Sequence, residues 1–318
     1  MITGGSGFIG TSAVDAALRN GDTVMNMDIN PPKKKEHTLF WKQVDIRNHE
    51  DFEKAVLSFA PTHILHLAAT TGMDLRDLSE ASTNTDGVRS LVDIGKKVPS
   101  LKKILFTSSL LVCRNGYIPA NDTDYCPPNI YGESKMRGEK IFRESDGLPF
   151  AWSIVRPSSI WGPWVAHSNI VFFRMIDKGL YFHPGKENIV KPMCYVENAV
   201  YMMFKILFDD SAKTNGATFY LVDYPDRSTR EWASALHREM GKKGDIRTCP
   251  LPLLRIVACV GDILKKTGWF EPPLTSFRLR NMLTGGFYPV DNTKAVAGPL
   301  PYSMEEGVRR TVQWMRSQ

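Results

Sequence analysis

The residues best suited to acid–base chemistry in this sequence are Tyr131 and Lys135, four positions apart, and Ser109 upstream of them. On a helix, Tyr131 and Lys135 share one face. A free phenol titrates near ~10, and a nearby ammonium group stabilises the phenolate and lowers its pKa. A serine hydroxyl at the same site can hydrogen-bond a substrate oxygen while its charge changes. This combination predicts proton transfer to or from a hydroxyl or carbonyl oxygen.

Glycines 4, 7 and 10 at the start of the chain predict a phosphate-binding turn. They follow a short apolar stretch and open a helical pattern that runs from Phe8 to Arg19 and stops at Asn20-Gly21. Glycines at this spacing let the backbone approach a pyrophosphate, and the helix N-terminus attracts its charge. The turn therefore predicts dinucleotide binding.

An acidic residue, Asp28, ends the next predicted strand. This is where the adenosine ribose hydroxyls of a dinucleotide would lie. A carboxylate there repels a 2′-phosphate, so NAD is the expected cofactor. The lysine run 33–35 follows in a proline-rich turn and is predicted to be a solvated surface.

Strand and helix patterns alternate through the first half of the chain. Strands are predicted near 23–28, 42–45, 63–67, 102–108 and 150–155, and helices near 8–20, 50–59, 84–97 and 131–144. This alternation predicts a doubly wound parallel α/β sheet. Ligands of such sheets bind at the carboxyl ends of the strands, where Asp28, Ala68, Ser109 and Arg156 would gather.

Taken together, the motifs resemble those of the extended short-chain dehydrogenase/reductase superfamily, which contains NAD-dependent sugar-nucleotide epimerases and dehydratases. The similarity follows the family's order along essentially the whole chain. The matching segments are 3–10 (TGxxGxxG), 45–47 (the adenine segment), 66–69 (HLAA), 84 with 87, 106–109 (the strand with the active-site Ser or Thr), 131–135 (YxxxK), 156–163 (RPxxxYGP) and 291–295.

The resemblance implies roles for individual residues. Ser109, Tyr131 and Lys135 are expected to be catalytic. Cofactor contacts are expected from Gly4, Gly7, Phe8, Ile9, Gly10, Asp28, Asp45, Ile46, Leu67, Ala68, Ala69, Asn84, Thr107, Tyr131, Lys135 and Ser158. Substrate contacts are expected from Thr70, Ser109, Ser159 and Lys191.

The resemblance also implies a Rossmann sheet with a smaller C-terminal substrate-binding α/β lobe. The NAD-binding domain is expected over 1–163 plus 195–224, and the lobe over 164–194 plus 225–318. Segment 196–222 would return to the sheet. Helices near 84–97 and 131–144 would form the four-helix bundle of a homodimer.

Several positions depart from the family pattern and reduce the number of reactions that the resemblance implies. Sugar-nucleotide 4,6-dehydratases follow the active Ser or Thr with an Asp-Glu pair, but this chain has Leu110 and Leu111, which cannot move protons. Lys191 replaces an arginine that would bind a diphosphate with two hydrogen bonds. The C-terminal pattern between Pro272 and Ala295 is similar to the 3β-hydroxysteroid-dehydrogenase-like branch.

Three functions remain open on these grounds. The leading one is a nucleotide-sugar 4-epimerase or 4-keto reductase, and the alternative is a hydroxysteroid-dehydrogenase-like alcohol oxidoreductase. A non-catalytic dinucleotide sensor is the remote third, because a sensor has no need of Ser109, Tyr131 and Lys135 together.

Composition excludes several classes of protein. The five cysteines are scattered without a CxxC pair, and no histidine shows ligand spacing, so neither a disulfide framework nor a metal site is expected. The net charge of +6 comes without an arginine-rich arm, so nucleic acid is not an expected partner. No signal peptide precedes the glycine turn, and a cytoplasmic location is expected.

Two further segments of the chain raise separate questions. Only Met1, Ile2 and Thr3 precede the glycine turn, so either the first strand is clipped or the natural start lies upstream. The apolar segment 251–264 is too short and too interrupted to span a bilayer. It is expected to be a lobe-packing or dimer helix, with an interfacial membrane helix as the alternative.

Overall fold

The computed structural model describes residues 1–165, 167–185, 188–266, 272 and 274–318. The strands in this part are β1 (Ile2–Thr3), β2 (Asn26–Asp28), β3 (Trp41–Gln43), β4 (His63–His66), β5 (Lys103–Thr107), β6 (Ala151–Pro157), β7 (Ser159–Trp161), β8 (His183–Pro184), β9 (Met193–Tyr195), β10 (Thr218–Leu221) and β11 (Thr248–Cys249). The helices are α1 (Phe8–Arg19), α2 (His49–Phe59), α3 (Asp86–Gly95), α4 (Ile130–Arg143), α5 (His167–Asp177), α6 (Val196–Leu207), α7 (Thr229–Glu239), α8 (Leu251–Lys266), α9 (Ser276–Leu283), α10 (Asp291–Ala297) and α11 (Met304–Arg316).

The main sheet of the described residues has seven strands in the order β10-β6-β5-β4-β1-β2-β3. All of its neighbouring strands run parallel. From β1 the chain adds β2 and β3 on one side and then β4, β5, β6 and β10 on the other. The resulting crevice at the carboxyl ends of β1 and β4 is where doubly wound sheets bind ligands. The predicted fold class is confirmed.

Alternate residues of the central strands belong to two different hydrophobic cores. Leu65 and Leu105 belong to the core that contains α1 and α6, whereas Ile64 and Ile104 belong to the core that contains α2 and α3. Successive side chains of a strand point to opposite faces, so helices cover both sides of the sheet. Apolar residues on every central strand are therefore buried whichever way they point.

The second half of the chain returns to the sheet once. Helix α6 packs in the first core, and β10 pairs with β6, with Thr218 opposite Ile154. This agrees with the prediction that segment 196–222 returns to the sheet. The proposed division into two domains remains a prediction. Across the described residues, which include α8, the structure contains no helix that is long and apolar enough to cross a membrane.

Differences from the predicted elements are confined to their ends. Strand β1 has two residues, which fits the short opening seen in the sequence. The helix predicted near 84–97 begins at Asp86, after a 3₁₀ segment over Leu78–Asn84. Thr85 has φ −120° and ψ −67°, which separates the two segments.

Candidate active site

The glycine turn joins β1 to α1 in a conformation that other residues do not tolerate. Gly4 has φ +72°, and a Cβ atom at Gly10 would lie 2.1 Å from the carbonyl oxygen of Gly4. Helix α1 begins directly after Gly7. The turn therefore leaves open backbone in front of a helix N-terminus, which is suited to a phosphate.

Asp28 lies at the carboxyl end of β2, next to this turn. Its carboxylate accepts hydrogen bonds from the backbone nitrogens of Ser6, at 3.1 Å, and Asn30, at 2.9 Å. These bonds fix the carboxylate at the edge of the crevice, where the sequence predicts contacts with a ribose.

A cavity of about 550 Å³ brings most of the predicted residues together. Predicted residues in its lining are Gly4, Gly7, Phe8, Ile9, Gly10, Asp28, Asp45, Ile46, Leu67, Ala68, Ala69, Thr70, Thr107, Ser109, Tyr131, Lys135 and Ser158. The lining also contains residues to which the sequence analysis gave no role in the site, among them Ser6, Asn30, Lys33, Arg47, Thr71, Thr83, Ser108, Pro157 and Ile160. Most of these are sequence neighbours of the motif residues.

Three predicted residues lie outside the lining of this cavity. Asn84 is buried behind it and binds Thr70 through both its amide oxygen and its amide nitrogen, each at 2.9 Å. Ser159 is exposed on β7. Lys191 lines a separate cavity of about 100 Å³, and its ammonium group donates to the backbone carbonyl of Asn281. Asn84 therefore supports the site indirectly.

Ser109 and Tyr131 are positioned by two chain segments in close contact. Helix α4 begins after Asn129, whose side chain accepts the backbone N–H of Gly132 at 2.9 Å. A Cβ atom at Gly132 would lie 2.1 Å from the carbonyl oxygen of Leu111, so glycine permits this approach. The hydroxyl of Ser109 accepts the N–H of Leu111 at 3.1 Å. The segment that carries Ser109 thus lies against the first turn of the helix that carries Tyr131.

The prediction that the pKa of Tyr131 is lowered is wrong. Burial raises the pKa of Tyr131 above its usual value, and a hydrogen bond with Ser109 lowers it by less. The spacing of Tyr131 and Lys135 carried no information about desolvation, which disfavours the phenolate.

Lys135 is buried and held by the sheet. Its Nζ atom donates to the backbone carbonyl of Thr107 at 2.7 Å. Burial lowers the pKa of Lys135 to about 7, and the negative charge of Glu139 opposes this effect. The amine therefore titrates in the neutral range.

Arg156 was expected with the ligand-binding residues, but it is buried outside the cavity lining in a network with Glu139, which the sequence analysis missed. The Glu139 carboxylate accepts hydrogen bonds from Arg156 at 2.7 and 2.9 Å, from Ser108 at 2.5 Å and from Tyr125 at 2.9 Å. Arg156 also donates to the hydroxyl of Tyr220 at 2.9 Å. Its position one helical turn after Lys135 was the sequence feature that could have identified Glu139.

Lys33 is exposed, as predicted for the lysine run, but it also lines the mouth of the cavity. Its Nζ atom donates to the backbone carbonyl of Trp164 at 2.9 Å. This bond connects the loop after β2 with the segment that follows β7.

The cavity has the polar groups that a dinucleotide requires. The side-chain oxygens of Thr107 and Ser158 are buried in the lining and have no hydrogen-bond partner within the described residues. Buried polar atoms are normally paired, so these two hydroxyls fit a polar ligand. With the open glycine turn and the carboxylate of Asp28, the residues present fit NAD.

Comparison with known proteins identifies the family of the chain. Residues 1–220 match the NAD dependent epimerase/dehydratase family. A sterol-4-alpha-carboxylate 3-dehydrogenase (decarboxylating) from Schizosaccharomyces pombe is 24% identical, with 98% of this chain and 96% of that protein covered. A UDP-glucose 4-epimerase from Vibrio cholerae is also 24% identical, with 98% and 94% covered.

Solved structures share the fold. The UDP-glucose 4-epimerase of Thermotoga maritima, solved with UDP-glucose, superposes with a TM-score of 0.76 at 19% identity and covers 99% of this chain and 98% of its own. The Thermus thermophilus UDP-glucose 4-epimerase, solved with NAD, has a TM-score of 0.72 at 22% identity, with 99% and 98% covered. The chain belongs to the NAD dependent epimerase/dehydratase family of NAD-dependent enzymes.

Proposed function

We propose that this enzyme moves hydride between NAD and a secondary alcohol or ketone carbon of a nucleotide sugar, as a 4-epimerase or a 4-keto reductase. The observation that carries the proposal is a single cavity lined by Ser109, Tyr131 and Lys135 together with the glycine turn and Asp28. The nicotinamide, when bound, supplies the hydride acceptor or donor.

The protein's own residues handle the proton. In the oxidation direction, Tyr131 takes the hydroxyl proton as the carbinol hydrogen leaves as hydride. Ser109 donates a hydrogen bond to the same oxygen as it becomes a ketone. Lys135 in its protonated form would donate hydrogen bonds to the nicotinamide ribose hydroxyls. Asp28 would hold the adenosine ribose and the glycine turn the pyrophosphate.

A 4,6-dehydration is not part of this proposal. Leu110 and Leu111 follow Ser109 where dehydratases have an Asp-Glu pair, and Leu110 is buried in the fold. Neither side chain can accept or donate the proton that the loss of water requires.

Tyr131→Phe tests the catalytic proposal. We expect turnover to be abolished while NAD affinity stays nearly unchanged, because only the ionisable hydroxyl is removed. Tyr201→Phe is the matched control, since the Tyr201 hydroxyl donates to the carbonyl of Ala297, outside the cavity lining. Retained activity in Tyr131→Phe would refute the role assigned to Tyr131.

The choice of a nucleotide sugar is supported by similarity to UDP-glucose 4-epimerases. The family resemblance assigns the contact with the diphosphate to Lys191. We expect Lys191→Ala to weaken binding of UDP-sugars, with Lys205→Ala, on α6, as the control. If Lys191→Ala binds UDP-sugars with unchanged affinity, Lys191 does not bind the diphosphate.

A hydroxysteroid-dehydrogenase-like alcohol oxidoreductase is the second candidate. The bond of Lys191 to the Asn281 carbonyl, outside the main cavity, favours it, because a substrate without a diphosphate needs no cation there. Turnover assays with UDP-, GDP- and dTDP-sugars against a set of hydroxysteroids distinguish the two. NAD that stays with the purified protein would favour the epimerase, since an epimerase re-reduces the same molecule.

Assembly and location are also proposals. We infer a cytoplasmic homodimer that packs through the outer faces of α3 and α4. Sedimentation velocity of the wild-type protein tests the dimer, and a monomer at all concentrations would exclude it.

A further inference from the structure

Cys113 and Cys126 are paired across two chain segments that run parallel to each other. The backbone N–H of Cys126 donates to the carbonyl of Val112 at 3.0 Å, and the N–H of Arg114 donates to the carbonyl of Cys126 at 2.7 Å. These two bonds make the cysteines direct partners in a β-bridge. Neighbouring parallel segments are about 4.7–4.9 Å apart, so the two α-carbons lie within the range of about 4.4–6.8 Å that a disulfide spans.

The side chain of Cys113 is directed to the segment that carries Cys126. Its sulfur donates a hydrogen bond to the carbonyl oxygen of Asp124 at 3.3 Å. Burial raises the pKa of the Cys113 thiol, a hydrogen bond with the backbone of Cys126 opposes this effect, and the Cys126 thiol acts on it electrostatically. Directly paired residues of parallel segments project to the same face. The two thiols are therefore neighbours, and both are free.

The two thiols differ in how far a reagent in solvent can reach them. Cys113 is 5% exposed and Cys126 is partly exposed. An oxidant therefore meets Cys126 first, and Cys113 lies behind it in the position of a resolving thiol. The other cysteines lack such a partner in the described residues, because Cys194 and Cys249 are paired with residues other than cysteine and Cys259 lies on α8.

The loop between the two cysteines is held in place by other contacts. The hydroxyl of Tyr117 donates to the carboxylate of Asp124 at 2.8 and 2.9 Å. The buried guanidinium of Arg156 donates to the backbone carbonyl of Asp122 at 2.5 Å. These bonds keep the two segments in register, so a disulfide can close without a large movement of the backbone.

The pair lies between two of the proposed catalytic residues. Cys113 follows Ser109 by four positions, and Cys126 precedes Tyr131 by five. A covalent bond between the two cysteines would tie the segment after Ser109 to the segment before α4. The relevance of this bond for turnover rests on the proposed function, whereas its formation does not.

We propose that Cys113 and Cys126 are a reversible oxidation site, at which a peroxide converts the two thiols to an intrachain disulfide. The Cys126 sulfur attacks one oxygen of hydrogen peroxide, the O–O bond breaks, and Cys126 becomes a sulfenic acid as the first water leaves with the thiol proton. The Cys113 sulfur then attacks the Cys126 sulfur. The S–S bond forms, the S–O bond breaks, and the second water leaves with the proton of Cys113.

This step balances, because the peroxide is reduced to two waters while two thiols are oxidised to one disulfide. A small thiol reductant reverses it by thiol–disulfide exchange. Disulfides of cytosolic proteins are usually transient and often sense redox state. A reversible pair of this kind agrees with the cytoplasmic location proposed above.

Peptide mapping by mass spectrometry tests the site. We expect wild-type protein treated with hydrogen peroxide to yield linked peptides that contain Cys113 and Cys126, and dithiothreitol to restore both thiols. Hydrogen exchange measures the effect on the loop. The amides of Arg114 and Cys126, which form the bridge, should exchange at least about tenfold more slowly in the oxidised protein, because the disulfide opposes opening of the closed loop.

Cys126→Ser is the test variant, and Cys259→Ser, which changes an exposed cysteine on α8, is the matched control. After peroxide, Cys126→Ser should give no linked peptide and no slowing of exchange, whereas Cys259→Ser should behave like the wild type. Circular dichroism and NAD binding check that each variant folds.

The proposal is overturned if peroxide links no Cys113 to Cys126, if Cys126 is oxidised only to sulfinic acid, or if links form only through Cys259 between two copies of the chain. It is also overturned if the bridge amides exchange equally fast in the oxidised and reduced proteins. None of these measurements uses turnover, so a failure here is distinct from a failure of the proposed function.

Discussion

Glu139 and Arg156 form an ion pair, with Oε2 and Nη2 2.7 Å apart, in which both side chains are buried. The pair joins α4 to β6 one helical turn beyond Lys135. Because Glu139 opposes the effect of burial on the pKa of Lys135, the pair connects the stability of the sheet with the charge of the proposed catalytic lysine.

Glu139→Gln should destabilise the protein strongly. It leaves the Arg156 guanidinium buried without its counter-charge, which costs about 3–5 kcal/mol of unfolding free energy. Urea unfolding measures the loss. Glu133→Gln on the same helix is the control, because the Glu133–Arg137 pair is solvent-exposed and should contribute no more than about 0.5 kcal/mol. Equal effects of the two substitutions would contradict the importance of the buried pair.

Lys135→Met should change how stability depends on pH. The pKa of Lys135 is about 7 when folded and 10.5 as the ordinary value, so between these values the unfolded chain holds a proton that the folded protein has released. Stability contributed by this group therefore rises with pH over that window, by up to ~1.4 kcal/mol per unit.

The comparison of Lys135→Met with the wild type isolates this contribution from other groups. The wild-type protein without NAD should gain stability relative to the variant as the pH is raised from 7 towards 10. Unfolding at a series of pH values measures the difference, and a constant difference would show that Lys135 keeps its ordinary pKa.

Ser108→Ala and Ser109→Ala should affect different properties of the protein although the residues are adjacent. Ser109→Ala removes the predicted hydrogen bond to the substrate oxygen, so kcat should fall about 10²–10³-fold with the fold intact. Ser108→Ala removes a hydrogen bond to the buried Glu139 carboxylate and should lower the unfolding free energy by about 1.5–3 kcal/mol. Steady-state kinetics and urea unfolding of both variants check this. If kcat falls for Ser108→Ala but not for Ser109→Ala, Ser108 is the catalytic serine and the assignment to Ser109 is wrong.

Gly10→Ala should prevent NAD binding. The added methyl group would lie 2.1 Å from the Gly4 carbonyl oxygen, so the turn has to open and its phosphate site is lost. We expect NAD affinity to fall by more than about tenfold, measured by calorimetry. Gly21→Ala is the control: at φ +79° it strains the backbone by about 1 kcal/mol in open space, and NAD affinity should not change.

Much of the site could be predicted from local sequence because its requirements are local. The turn needs glycines at fixed positions, a helix sets the spacing of Tyr131 and Lys135, and Asp28 follows directly from the end of a strand. The alternation of strands and helices likewise predicted the parallel sheet. These features follow from backbone geometry within a few residues of each other.

Other properties depend on groups that are distant in sequence. The Glu139–Arg156 pair, the bond from Lys135 to the Thr107 carbonyl and the bond from Lys191 to the Asn281 carbonyl link residues that are 17, 28 and 90 positions apart. Burial of Tyr131 raises its pKa, whereas the spacing suggested the opposite. The sequence by itself determined which groups are available for chemistry and where the cofactor turn lies. Only the tertiary structure decided their pKa values, their partners and the pairing of Cys113 with Cys126, because desolvation and contacts depend on how distant segments pack.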